Sequence, residues 1–267
     1  MKFKLPILAL VGFSLLFASC YKNPVTGRRS LNLVDEGTMN SLSAQQYTTF
    51  MTTNKAVVAG KDVAMVKNVG VRMSIAVQQY LAGKGQSSLT DGYHWEFNLV
   101  NSNEANAWCM PGGKVVVYSG ILPITQNETA LAVVMGHEIA HAIARHGNER
   151  MSQQLAVQAG GVALSTALST QPGQTQNIFN SVYGVGGQLG VLAYSRKHES
   201  EADHMGLIFM AMAGYNPAEA VNFWQRMAGM QNSAKPPVFL STHPDDQQRI
   251  DQIRQWLPEA QKYYKPH

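Results

Sequence analysis

The 267 residues suffice for one compact domain with a full core, and 45% hydrophobic against 14% charged residues excludes a disordered or fibrous chain. The formal charge of +4 includes Lys2 and Lys4, and the +2 left without them gives no electrostatic footprint for nucleic acid. No repeat period or low-complexity tract is visible.

The chain opens with MKFKLPILALVGFSLLFASC: a basic start, an apolar run from Leu5 to Phe17, then Ala18 and Ser19 before Cys20. The run carries Pro6 near its start and falls short of the roughly 20 apolar residues of a spanning helix, so it reads as an export signal. Small residues directly before a cysteine resemble the lipobox of bacterial lipoproteins, which predicts a signal peptide at 1–19 and lipidation of Cys20. Phe17 departs from the usual leucine of that motif, and a plain secretory signal is the alternative. Tyr21 stands where an aspartate would resemble inner-membrane retention, which points to the outer membrane. The following YKNPVTGRRSLNLV is polar and turn-rich and predicts an extended tether over 20–34, leaving 35–267 as the folded domain.

Helical patterns cover roughly residues 35–52 and 61–82. HWEFNLV (94–100) reads as a strand, and AWCMPGGKVVVYSG as a hairpin turning at Pro111, Gly112 and Gly113. No other β structure is expected. Cys109 reads as a buried thiol, and with Cys20 lipidated no intramolecular disulfide is expected. From Asn127 onward the pattern is helical, with breaks near Gly147, 171–173, 214–217 and 235–244. AVQAGGVALSTALST is about 15 residues, too short for a span, and predicts a closely packed buried helix. The fold class is α+β, mainly α-helical.

Within ETALAVVMGHEIAHAIARH, His137 and His141 stand four apart, about 40° in projection on a helix, so both imidazoles can face one metal ion. Glu138 beside them can reach a metal-bound water, whose pKa zinc lowers toward about 7, and take its proton as it attacks a carbonyl. An apolar helix would bury these histidines, which is costly without a ligand. A hydrolytic site needs a third protein donor and an open position. His146 projects about 180° from His137 and reads as structural, near the helix end. The downstream candidates are Glu199, Glu201 and Asp203 in SRKHESEADHMG.

GHEIAHAIARH, ESEAD and STHPDDQQR, in that order, resemble the HtpX, Oma and Ste-type CAAX peptidase superfamily of zinc metallopeptidases. NPVTGR after the cysteine is similar to its periplasmic lipoprotein branch of LoiP-like and BepA-like proteins. The resemblance implies a zincin-like metallopeptidase domain with a small β-sheet beside the active-site helix, and one Zn2+ ion. It implies that Glu199 is the third ligand, and that Asp203, one turn on, orients a ligand histidine. Arg249, at the spacing of the family's HP motif, is implied as an oxyanion stabiliser, with Tyr194 as a second candidate. Glu201 is expected to be solvated or capping, and His198 and His204 structural. In BepA-like relatives the matching histidine resembles a plug, so His243 is expected as a fourth ligand in a resting state, the alternative being a helix cap or cleft lining. The hairpin offers an edge to which an extended peptide can add as a strand, unless Val115–Val117 simply roofs the core.

The expected activity is that of a cell-envelope endopeptidase degrading unfolded or misassembled proteins, held to the membrane by its lipid and working near the outer-membrane assembly machinery. A non-catalytic module that binds clients is the alternative, and an intact Glu138 argues against it. An integral-membrane peptidase is disfavoured because long apolar spans are lacking.

Overall fold

The computed structural model describes residues 20–158, 172–184, 194–230, 237–243 and 247–266. Residues 1–19, expected as a signal peptide, most of AVQAGGVALSTALST, and Pro244 lie outside these residues.

The expected helices form as α1 (Glu36–Thr53) and α2 (Lys61–Gly83). Asp35 caps α1, its carboxylate accepting from Thr38 N at 2.9 Å. A three-stranded sheet follows, with β3 (Glu96–Val100), β4 (Ala107–Met110) and β5 (Lys114–Tyr118). The β4–β5 hairpin turns through Gly112 and Gly113, whose φ values of 81° and 83° suit glycine. Its order is β3-β5-β4, with β5 parallel to β3 and antiparallel to β4. Val115–Val117 therefore has partners on both sides; β3 and β4 are the sheet edges, β3 being partly paired by Val57 N donating to Leu99 O at 2.8 Å, so the hairpin strand at an edge is β4.

Both sheet faces are covered. Val115 and Val117 join a core with residues of α2 and the active helix, while Val116 and Tyr118 face a second cluster around Phe50, Trp108 and Phe179.

The active helix is α3 (Glu128–Ile143), capped by Asn127, whose side chain accepts from Ala130 N at 2.8 Å, and it is buried from Ala130 onward. It ends at Ala144, where Arg145 takes a φ of 57°, and α4 (His146–Gln158) starts at once. The break thus falls two residues before Gly147. After α5 (Pro172–Tyr183) comes α6 (Arg196–Met212), which crosses α3 where two glycines meet. A Cβ on Gly206 would stand 3.0 Å from His137 N, so nothing larger than hydrogen separates the backbones there. Then follow α7 (Glu219–Gly229), the short α8 (Val238–Thr242) and α9 (Gln247–Ala260). The fold is α+β, mainly helical, and zincin-like in setting a small sheet beside the HExxH helix. Among the described residues no helix is long and apolar enough to cross a membrane.

Residues 20–34 depart from the extended tether expected. β1 (Cys20–Lys22) and β2 (Arg29–Leu31) pair as an antiparallel ribbon lying on the domain. Tyr21 is buried and its hydroxyl donates to Ile143 O at 2.6 Å, at the end of α3. Asn23 Oδ1 accepts from Val25 N and Thr26 N at 2.8 and 3.0 Å, closing an Asx turn, and Leu33 N donates to Ser152 Oγ at 2.8 Å. A polar stretch packs here because its aromatic and aliphatic members find apolar cover and its arginine finds buried carboxylates.

Candidate metal centre

His137 and His141 project from the last two turns of α3. Glu199 comes from the first turn of α6, which Ser195 caps by accepting from His198 N at 3.3 Å; the start of a helix favours an anionic side chain. His243 follows the last turn of α8. The donor atoms of these four buried residues all lie within 4.8 Å of one another. His137 Nε2 is 3.1 Å from both His141 Nε2 and His243 Nδ1. Glu199 lies 3.3 Å from His137 Nε2, 3.4 Å from His141 Nε2 and 3.0 Å from His243 Nδ1. Tetrahedral donors around an ion with bonds of ~2.1 Å stand roughly 3.4 Å apart. Three imidazole nitrogens and a carboxylate oxygen turned toward one another present the lone pairs and the negative charge that suit a cation.

Around the quartet, His137 Nδ1 meets Asp203 Oδ1 at 2.8 Å. Arg249 grips the same carboxylate, Nε to Oδ2 at 2.7 Å and Nη2 to Oδ1 at 2.8 Å, with its guanidinium 3.3 Å over the Trp224 ring. It also reaches Glu199 at 3.3 Å and the His243 carbonyl at 3.4 Å. These contacts put Arg249 behind His137, as an anchor for Asp203. Burial would push the Glu199 carboxyl up, but His243 and His137 outweigh it and hold the group well below the usual carboxylate range.

Glu138 stands on the other side, where a cleft is lined by Trp108, Cys109, Met110, Glu138, Tyr194 and His243. Burial pushes its carboxyl up to about 7. Its Oε1 lies 3.2 Å from His243 Nε2 yet has no hydrogen-bond partner among the described residues. Tyr194 stacks on His141 with ring centres 4.0 Å apart.

The family model for peptidase family M48 matches residues 41–257. The chain belongs to that family. M48 relatives include the mitochondrial metalloendopeptidase OMA1 of Saccharomyces cerevisiae, 35% identical over 207 residues, or 75% of this chain and 58% of that protein. OMA1 of Bos taurus is 30% identical over 98% of this chain and 51% of its own length. The beta-barrel assembly-enhancing protease of Escherichia coli strain K12 is 31% identical over 60% of this chain and 34% of its own length. The chain therefore spans about half the length, or less, of these M48 proteins.

The M48 site in this chain has a layer that its motifs did not announce. Glu201, expected to be solvated or capping, is buried and bonded by Thr26, Arg28 and His146. His146 does not project away from the site. The helix break at Arg145 folds it back, Nδ1 to Nδ1 with His141 at 2.9 Å. His198 stacks on His146 and reaches Glu149 at 3.1 Å, and His204 pairs with Glu259 at the surface at 2.8 Å. The available signal was the middle glutamate of ESEAD, set beside NPVTGR.

Proposed function

We propose that this chain is a zinc-dependent endopeptidase of the bacterial cell envelope, anchored through Cys20 and acting on misfolded or misassembled proteins. One observation carries the chemistry: Glu138, a buried carboxylate raised to about 7, stands between a convergent metal-binding quartet and the edge strand β4. His137, His141 and Glu199 would hold one zinc ion, with His243 as a fourth donor at rest. When bound, the ion supplies a Lewis acid that acidifies water and polarises a peptide carbonyl. Glu138 accepts the proton of the attacking water and returns it to the leaving amine, a task suited to a group that titrates near neutrality. Asp203 accepts the Nδ1 proton of His137 and so keeps Nε2 free to bind, and Arg249 holds Asp203 in that pose. Tyr194, at the cleft beside His141, is the candidate to stabilise the oxyanion.

The outer side of β4 offers backbone groups to an extended chain irrespective of its sequence, which suits unfolded substrates. Two features support the envelope reading. The leader carries small residues before a cysteine, and one group of relatives is named for β-barrel assembly, which makes the outer-membrane assembly machinery the proposed partner. The OMA1 relatives are mitochondrial, and the lipobox-like leader favours the bacterial assignment.

The test uses mature protein and an unfolded substrate, with and without chelator. Glu138→Gln should retain zinc and lose turnover by about a hundredfold or more, since an amide fills the same space without accepting a proton. Undiminished proteolysis in that variant rejects the mechanism.

A further inference from the structure

A histidine that binds a metal through one nitrogen needs the other held, usually by a carboxylate, which fixes the tautomer and the ring. His137 has Asp203 in direct contact. Among the described residues His141 has no carboxylate on its Nδ1; it has the imidazole of His146 at 2.9 Å, and the carboxylate of Glu201 lies one ring further out, 3.0 Å from His146 Nε2. With Nε2 of His141 turned into the quartet, the direction of each bond follows. His141 Nδ1–H donates to His146 Nδ1, and His146 Nε2–H donates to Glu201. His146 is fully buried, so water cannot replace this acceptor.

Glu201 is itself held from the N-terminal ribbon. Arg28 Nε donates to its Oε2 at 2.7 Å, and the Thr26 hydroxyl donates to its Oε1. The rest of the Arg28 guanidinium forms a two-pronged pair with Glu149, at 2.8 and 2.7 Å, so it cannot swing without breaking both carboxylates' bonds. Glu149 in turn receives His198, whose ring stacks on His146 at 4.4 Å.

We propose that Glu201 is a positioning residue for His141, acting through His146, and that Thr26 and Arg28 of the ribbon clip Glu201 in place. The NPVTGR turn thereby sets metal affinity from outside the cleft. The proposal rests on the reading of the quartet as a zinc site, and the experiment separates the two.

Zinc affinity is measured by competition with a chromophoric chelator on the full mature chain, together with the melting temperature of the metal-free protein and the visible spectrum of the cobalt(II) form. Glu201→Gln should weaken zinc binding by about 10–100-fold and change the cobalt spectrum, and Arg28→Ala should weaken binding by about tenfold. The double variant should bind no more weakly than Glu201→Gln alone, because Arg28 acts through Glu201. Thr26→Val, a change of one hydroxyl, should cost severalfold, and it keeps the test alive if Arg28→Ala does not fold. A purely structural clip would lower the metal-free melting temperature while leaving affinity and spectrum as in the parent, and that result overturns the inference. A parent chain that binds no zinc overturns the zinc-site reading instead.

Discussion

Arg145 adopts a left-handed conformation that disfavours any residue with a side chain, by on the order of 1 kcal/mol. That one residue ends α3 and turns His146 back onto His141. Nothing in the sequence marks it, because the usual signal is a glycine and the nearby glycine sits two places later. The i, i+4 histidines were legible because helical periodicity alone makes them neighbours. Spacing could not choose between Glu199 and Glu201, and both prove buried with separate duties: one among the converging donors, the other behind His146. Two predictions belong at this scale. His243→Ala should raise basal proteolysis about three- to tenfold if the histidine keeps most molecules closed, since apparent activity scales with the open fraction. Lower activity with zinc content unchanged rejects the plug. The second concerns acid stability. Burial pushes the Glu149 carboxyl up, but its bonds to His198 and Arg28 outweigh that and leave it at about 2. Unfolded, it titrates near ~4.3, so the native state binds fewer protons and this stabilisation is complete above about pH 5, then lost as pH falls toward 2. The melting temperature of Glu149→Gln should therefore fall less than the parent's between pH 5 and pH 3; parallel slopes would show that Glu149 contributes nothing.

The crossing of α3 and α6 brings His137 and His141 against Glu199 and Asp203, and Gly136 and Gly206 set its depth. Gly206→Ala places a methyl 3.0 Å from His137 N and 3.2 Å from Gly136 O, contacts with backbone that cannot rotate aside. The helices must separate, at a cost of about 1–3 kcal/mol, and the carboxylates move off the histidines with them. Denaturant unfolding and metal content should both fall, and unchanged zinc affinity would show that crossing depth does not set the site. The glycines were plain in the sequence but their meeting was not, because they lie on different helices, 70 positions apart in the chain. The sheet divides the same way. Its hairpin was legible from Pro-Gly-Gly between apolar runs, whereas the parallel pairing that carries β3 across to β5, and so leaves β4 at the edge, is a long-range choice with no local mark.

Helical periodicity and motif order made the class of the whole molecule legible, but not the packing of its first described residues. Strands of three residues are too short to show alternation, and Tyr21, Thr26 and Arg28 meet partners more than a hundred positions away. A prediction on attachment applies at this scale. If Cys20 is lipidated, Cys20→Ala should move the protein from the membrane fraction to the soluble one, and equal membrane recovery of the two would refute it.

The ribbon changes what such an anchor can do. An extended tether over 21–34 would have let the enzyme range up to about 45 Å from the bilayer. In the structure β1 starts at Cys20 itself, and the next residue is already buried against the end of the active helix. An acyl chain there leaves no leash. If Cys20 is lipidated, the cleft would ride at a constant height above the lipid, patrolling in two dimensions, and only polypeptides that linger at the membrane surface would come within its grasp.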